Sequence, residues 1–306
     1  MFGSHLSVAG GMVNALNEAE ALGLECVQVF TKNQQQWKVK PLADDARETW
    51  LGKLGELGWR PKAGEPGRVS SHASYLINLA SPDDELWEKS IALMIVEIER
   101  CEALEIPYLV HHPGAYTTSD ETAGLKRIAK AYAKLLKSTK GFRTVVCLEN
   151  TVGSGSNLGA PFDQLGSLRS MIVDTTGAGE RVGFCFDTCH AHAAGYSMAT
   201  RAEGEAVLDE FDRHCGLDNL KVMHLNDSKG EAGSRKDRHA HIGEGTLTLA
   251  PGRSRPRLAD SGFGAVVNHP GLTAIPKILE TPKGTDEKGR SFDTVNVAKL
   301  KRMIGR

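Results

Sequence analysis

Three carboxylates, Glu149, Asp187 and Glu280, and three imidazoles, His72, His112 and His224, each stand where a short apolar run stops. Nitrogen and oxygen donors of these types hold divalent ions such as zinc. A lone His at a strand end is ordinarily a hydrogen-bonded structural residue, so repetition carries the signal. An ionised carboxylate withdrawn from water is costly unless it is paired or metal-bound, and three of them on one face call for a cation. The signal is densest at residues 182–196, where the apolar run 182–186 ends in Asp187 and His190 follows three residues later, in an Ala-rich segment closed by Gly195. In the polar run Arg235-Lys236-Asp237-Arg238-His239, Asp237 and His239 are two apart and project to one side if that segment is extended. Such a set could activate water against a phosphodiester, or move a proton on a sugar.

Residues at the ends of so many strands need a fold that gathers strand ends. Residues 3–8, 26–30, 70–72, 109–112, 146–150, 182–187, 222–226 and 277–281 read as eight strands. Helical patterns lie between them at 12–22, 44–57, 160–174, 201–214 and 262–268, with another at 294–304. Ile91, Met94, Ile95 and Ile98 mark one buried helical face, and Leu125, Ile128, Tyr132, Leu135 and Leu136 another. Ser81-Pro82-Asp83-Asp84 supplies an N-cap and a proline at the first helical position. Residues 227–245 read as a long loop. This alternation predicts an α/β chain whose residues 1–306 form a single (β/α)8 TIM barrel, with its active site at the C-terminal face of the strands.

Composition sets the frame. The chain has 306 residues, and 37 Lys and Arg against 38 Asp and Glu give a formal net charge of −1. No global basic field announces a nucleic-acid partner, so such a partner must be held by local patches or by bound metal. The six cysteines include no CxxC pair and most lie in apolar segments, which predicts packed, reduced thiols and a cytoplasmic location. Met1 to His5 enters a strand at once, so no signal peptide is expected, and no apolar run approaches the roughly 20 residues of a membrane helix.

Taken together, several motifs resemble the endonuclease IV family of apurinic/apyrimidinic endonucleases, DNA-repair enzymes on a TIM barrel. They are Phe30-Thr31-Lys32-Asn33, His72-Ala73-Ser74-Tyr75-Leu76-Ile77-Asn78-Leu79, His112-Pro113-Gly114, Leu148-Glu149-Asn150-Thr151, Asp187-Thr188-Cys189-His190, His224-Leu225-Asn226-Asp227, Asp237-Arg238-His239 and Leu279-Glu280-Thr281. The resemblance runs from Ser4 to about Pro282. It implies three Zn2+ per chain, with Mn2+ as the alternative occupant of one site. Glu149 would bridge the first two ions, His72 and His112 would complete the first, and Asp187, His224 and Glu280 would bind the second. His190, Asp237 and His239 would hold the third. Six positive charges against four carboxylates leave the cluster two positive charges for a phosphodiester and its nucleophile. Glu149 and Glu280 would be the catalytic carboxylates, and Glu280 would also orient or deprotonate the nucleophile.

The resemblance also implies the substrate, double-stranded DNA with abasic sites or 3′-blocked ends, cut 5′ to the abasic sugar by a monomer. Tyr75 and Leu76 match positions near the lesion. At Gln35 the family commonly carries an arginine wedge, so this chain departs there by one charge. Lys32, Lys38 and Lys40, and Lys229, Arg235, Lys236 and Arg238, could contact phosphates. The Arg253-Ser254-Arg255-Pro256-Arg257 loop is a candidate backbone clamp. His5 is expected at the barrel mouth and His111 packed outward, away from His112. His192, His214, His241 and His269 are expected at the surface or beside ligands, and Cys189 is the thiol to check for metal contact. A metal-dependent sugar isomerase on a similar barrel, and a lesion-binding protein with a structural cluster, remain the alternatives.

Overall fold

The computed structural model describes residues 1–248 and 257–306. Its strands and helices alternate: β1 (Phe2–His5), α1 (Val13–Ala21), β2 (Cys26–Val29), α2 (Asp44–Glu56), β3 (Val69–His72), α3 (Asp84–Ala103), β4 (Tyr108–His111), α4 (Glu121–Ser138) and β5 (Val145–Glu149). There follow α5 (Phe162–Thr176), β6 (Val182–Asp187), α6 (Thr188–Ala194), α7 (Arg201–Cys215), β7 (Leu220–His224), β8 (Asp227–Ser228), β9 (His239–Ala240), α8 (Gly262–Asn268), β10 (Lys277–Leu279) and α9 (Phe292–Lys301). Eight of the strands close a parallel barrel in the order β1-β10-β7-β6-β5-β4-β3-β2. β1 pairs with both β10 and β2, so the N-terminal strand completes the ring.

Alternation along each strand divides the apolar residues into two cores. Val110, Cys147, Cys185, Val222 and Ile278 each lie two residues before a candidate ligand and so share its inward side; with Cys26 and Tyr108 they form a separate cluster inside the ring. The residues between them, among them Leu109, Leu148, Phe186 and Met223, face outward into the larger core with Trp50, Tyr132, Phe162 and Phe211 from the helices. The interior is tight at Gly3, where a Cβ would stand 1.8 Å from the carbonyl oxygen of Cys26. His111 follows the outward alternation and meets the Tyr132 hydroxyl of α4 at 2.6 Å. All six cysteines are free and buried.

Three local expectations are corrected. Asp83 caps α3, accepting from the Leu86 amide at 2.8 Å, while Pro82 lies before the cap, because Ser81 Oγ draws the Asp83 amide into a turn first. Residues 227–245 are not all loop, since β8 and β9 pair antiparallel with Asp227 opposite Ala240 and Ser228 opposite His239. The strand expected over residues 3–8 stops at His5. Of the proposed clamp, Arg253 and Arg255 lie outside the described residues, and Arg257 is exposed. No helix among the described residues is long and apolar enough to cross a membrane.

Candidate metal centre

Glu149 ends β5 on the inner side, fully buried, and its two carboxylate oxygens face different groups. Oε2 lies 3.2 Å from Nε2 of His72 and 3.2 Å from Nε2 of His112, on the neighbouring strand ends. Oε1 lies 2.9 Å from Nδ1 of His224 and 3.3 Å from Nδ1 of His190. A carboxylate so placed can bridge two ions. On the His224 side Glu280 Oε2 is 3.2 Å and Asp187 Oδ2 3.8 Å from Nδ1. The third group gathers on the far side of Asp187: His190 Nε2 is 3.3 Å from Asp237 Oδ2, and His239 Nε2 is 3.2 Å from Asp237 Oδ1. All nine side chains therefore converge. Asp187 reaches two groups, one with Glu149, His224 and Glu280 and one with His190 and His239, each with donor atoms within 4.8 Å of one another.

Local backbone chemistry places these donors. Asp187 caps α6, accepting the His190 amide at Oδ1 (2.8 Å), which fixes the imidazole three residues on. Its Oδ2 accepts from Asn226 Nδ2 at 2.7 Å. Asn150 clamps the Asp187 backbone from both sides, accepting from its amide at 2.7 Å and donating to its carbonyl at 3.1 Å. The loop bearing Asp237 and His239 is tied at one end to α6, whose His192 and Ala193 carbonyls accept from the Gly233 and Arg235 amides. Arg235 adopts φ 54° there. At its other end the buried Asp227 carboxylate accepts from the amides of Ser228, Gly243, Gly245 and Leu247 and from the Thr248 hydroxyl.

The histidines fit a metal role by their proton assignment. A backbone carbonyl can only accept, so His72 Nδ1 carries the hydrogen bonded to the Ala73 carbonyl, His190 Nδ1 the one bonded to the Asn150 carbonyl, and His239 Nδ1 the one bonded to the Glu280 carbonyl. In His224 the assignment is reversed. Gln28 donates through Nε2 to Glu280 Oε1 at 2.7 Å, so its Oε1 accepts from His224 Nε2 at 2.9 Å and leaves Nδ1 toward the carboxylates. In each case the second ring nitrogen faces the cluster, as metal-ligating histidines require. His239 Nε2 is buried and makes no hydrogen bond; the Asp237 oxygen beside it is close but misaligned. This nitrogen and oxygen set suits zinc or a similar divalent ion.

Charge follows the same geometry. Burial works against the charged forms of His224 and His239, but the surrounding carboxylates outweigh it and push both up to about 9. His190 is raised well above its ordinary value in the same way. Burial also opposes ionisation of Glu149, yet the His224 and His112 imidazoles hold its carboxyl well below the usual range. The carboxylates thus favour positive charge at this site. Cys189 also lies within reach of Asp237 and His239, and burial pushes its thiol up to about 12.

The residues expected at DNA divide. Tyr75 is 61% exposed, one of two large exposed hydrophobic side chains among the described residues, with its ring 5.1 Å from that of His72 and 6.0 Å from that of His112. Leu76 beside it is half-buried, while Gln35 and Arg238 are exposed. Lys38, Lys40, Lys229, Arg235 and Lys236 are exposed as well. Lys32 is turned inward: its ammonium lies 3.6 Å from Glu97 and donates to the Asn33 and Gln36 carbonyls. His5 does face the mouth, with Nδ1 3.4 Å from Glu280 Oε1. His192 is buried against Thr246, His214 is exposed, and His241 stacks on Phe292. Gln28, Asn150, Asn226 and Asp227 were not among the expected site residues; Asn150, Asn226 and Asp227 adjoin ligand motifs, which was the available signal.

Residues 16–282 match the family described as xylose isomerase-like TIM barrel. The chain is 41% identical to a probable endonuclease 4 of Chloroflexus aurantiacus over 303 residues, covering 99% of this chain and 98% of that protein. It is 40% identical to one of Trichlorobacter lovleyi, covering 98% of each. Among solved structures it is similar to endonuclease IV from Thermus thermophilus, with a TM-score of 0.80 at 34% identity, covering 99% of this chain and 98% of that one. A D-tagatose 3-epimerase-like protein shares the fold alone, with a TM-score of 0.68 at 16% identity. Full-length identity at this level, on a closed barrel whose strand ends gather one cluster of carboxylates and imidazoles, places the chain in the endonuclease IV family of the xylose isomerase-like TIM barrels.

Proposed function

We propose that the chain is a metal-dependent apurinic/apyrimidinic endonuclease that hydrolyses the phosphodiester 5′ to an abasic site in double-stranded DNA. It leaves a 3′-hydroxyl and a 5′-deoxyribose phosphate, and it also clears 3′-blocked ends. The observation that carries this reading is Glu149, whose Oε2 lies 3.2 Å from Nε2 of both His72 and His112 while its Oε1 lies 2.9 Å from Nδ1 of His224. Three divalent ions, zinc with Mn2+ as the alternative at one site, would be held by His72, His112 and Glu149, by Glu149, Asp187, His224 and Glu280, and by His190, Asp237 and His239. When bound, such ions polarise phosphoryl oxygens and lower the pKa of water from about 15.7 toward about 7.

The remaining roles belong to the chain. Glu280 is held ionised, burial notwithstanding, by the facing His224 and its hydrogen bond with His5, so it can accept a hydrogen bond from, and orient, an attacking water. Gln28 fixes the angle of that carboxylate. Tyr75, exposed beside His72 and His112, and its neighbour Leu76 fill the space left as an abasic nucleotide leaves the stack. Gln35 offers a hydrogen bond to the strand without charge. Arg238 and its exposed basic neighbours lie beside Asp237 where a phosphate can be met.

A nicking assay on a duplex with one abasic analogue tests this reading, run beside a sugar-isomerisation assay and a DNA-binding assay. Cutting that stops with EDTA and returns with added Zn2+, together with about three metals per chain by elemental analysis, is the expected result. Isomerisation without cutting, or lesion binding without either, would overturn it.

A further inference from the structure

Glu97 lies on α3 among Leu93, Met94, Ile98 and Cys101 and is 1% exposed, an unusual place for a carboxylate. Burial pushes its carboxyl up, but its oxygens are fully used. Oε2 accepts from the Thr31 hydroxyl at 3.1 Å, Oε1 accepts from the Ser74 amide at 3.1 Å, and Lys32 Nζ stands 3.6 Å from Oε1. Thr31 and Lys32 begin the loop after β2, which carries Gln35, and Ser74 begins the loop after β3, which carries Tyr75 and Leu76. The two loops also meet directly, Ser74 Oγ donating to the Gln34 carbonyl. One turn further along α3, Arg100 donates to the Thr31 carbonyl at 2.9 Å and to the Lys40 carbonyl at 3.3 Å. None of these partners belongs to the metal cluster.

We propose that Glu97 is a positioning residue that locks the loops after β2 and β3 to each other, so that the side chains probing the DNA stack meet the duplex already ordered. The proposal rests on the nuclease reading above. Fixing one backbone residue costs about 1–2 kcal/mol, and loops ordered in advance do not charge that cost to binding. A merely solvated acid at this position would need neither two loop donors nor a buried lysine.

Glu97→Ala and Glu97→Gln test it in the metal-loaded protein. In Glu97→Ala, kcat/KM on the abasic duplex should fall about 10- to 100-fold while hydrolysis of bis(p-nitrophenyl) phosphate, which needs no base-stack entry, stays within about twofold. Amide deuterium exchange should rise together in residues 31–36 and 73–77 and stay unchanged in 237–240. Glu97→Gln keeps an acceptor and should recover part of the loss. A parallel fall of both activities, or exchange that rises in one loop alone or in neither, would overturn the proposal. If the native protein cuts no abasic duplex, the nuclease reading fails by itself, and the exchange pattern alone decides whether Glu97 couples the loops.

Discussion

A single neutral amide, Gln28, sets both the proton on one imidazole and the angle of one carboxylate. It accepts from His224 Nε2 and donates to Glu280 Oε1, with Ser70 Oγ steadying its oxygen at 3.1 Å. Gln28→Leu removes both contacts without touching a ligand, and metal affinity or nicking rate should fall about 10- to 100-fold, as for other partners of metal-bound groups. A chelator competition titration giving native affinity would remove this role. Gln35, exposed on the loop after β2, carries a second residue-scale expectation. Gln35→Arg should bind abasic duplex more tightly and steepen the log–log salt slope by about 0.9 if the new charge meets one phosphate; equal slopes for the two proteins would count against it. The acids and imidazoles that converge were legible because such a side chain closing an apolar run is conspicuous. Gln28 was not, because a neutral side chain in the middle of a strand announces no chemistry until its partners, His224 and Glu280, are brought across the ring. The ion pair of Lys32 was hidden for a related reason: its partner Glu97 lies on a helix whose buried face otherwise reads as apolar.

At the scale of elements, the segment from β8 to β9 depends on anchors at its two ends, the α6 carbonyls and the Asp227 carboxylate. Five donors converge on Asp227, so Asp227→Asn turns an NH2 group against amide hydrogens and leaves buried donors unmet, at about 1–3 kcal/mol for each. The expected outcome is loss of the ion held by His190, Asp237 and His239 while the other two stay bound, so elemental analysis should drop from about three metals per chain to about two. Retention of all three would show that α6 alone is a sufficient anchor. Little of this segment was legible beforehand. β8 and β9 have two residues each, too few for an alternating pattern, and their pairing is set by contacts to Asp227 from residues up to 21 positions away.

For the molecule as a whole, the alternation of strand and helix was readable because a parallel strand buried on both faces is a short apolar run and each crossover helix repeats its own apolar face. Strand limits were less so, since β1 ends at His5 while the apolar pattern continues. Away from the catalytic face, Lys277 at the start of β10 is buried, donating to the Leu272 and Ile275 carbonyls, and burial lowers its pKa from 10.5 to about 8. Below about pH 8 the lysine is charged in both folded and unfolded chains. Between about 8 and 10.5 the unfolded chain holds a proton that the folded one has released, so native stability rises with pH across that window. Relative to Lys277→Met, the native protein should gain on the order of 2–3 kcal/mol between pH 7.5 and pH 10.5, measured by urea unfolding. A constant difference would place the lysine pKa near its ordinary value.

The ring is sealed where β1 meets β10, and Glu280 stands one residue past β10. In a sheet still open at that seam, the strands bearing His72, His112, Glu149, Asp187, His224 and Glu280 can already lie side by side, but His5 and Gln28 sit at the opposite margin from the carboxylate they steer. Closure of that seam is thus what completes the surroundings of Glu280, because the two side chains that steer it reach it only across the junction of the first strand with the last.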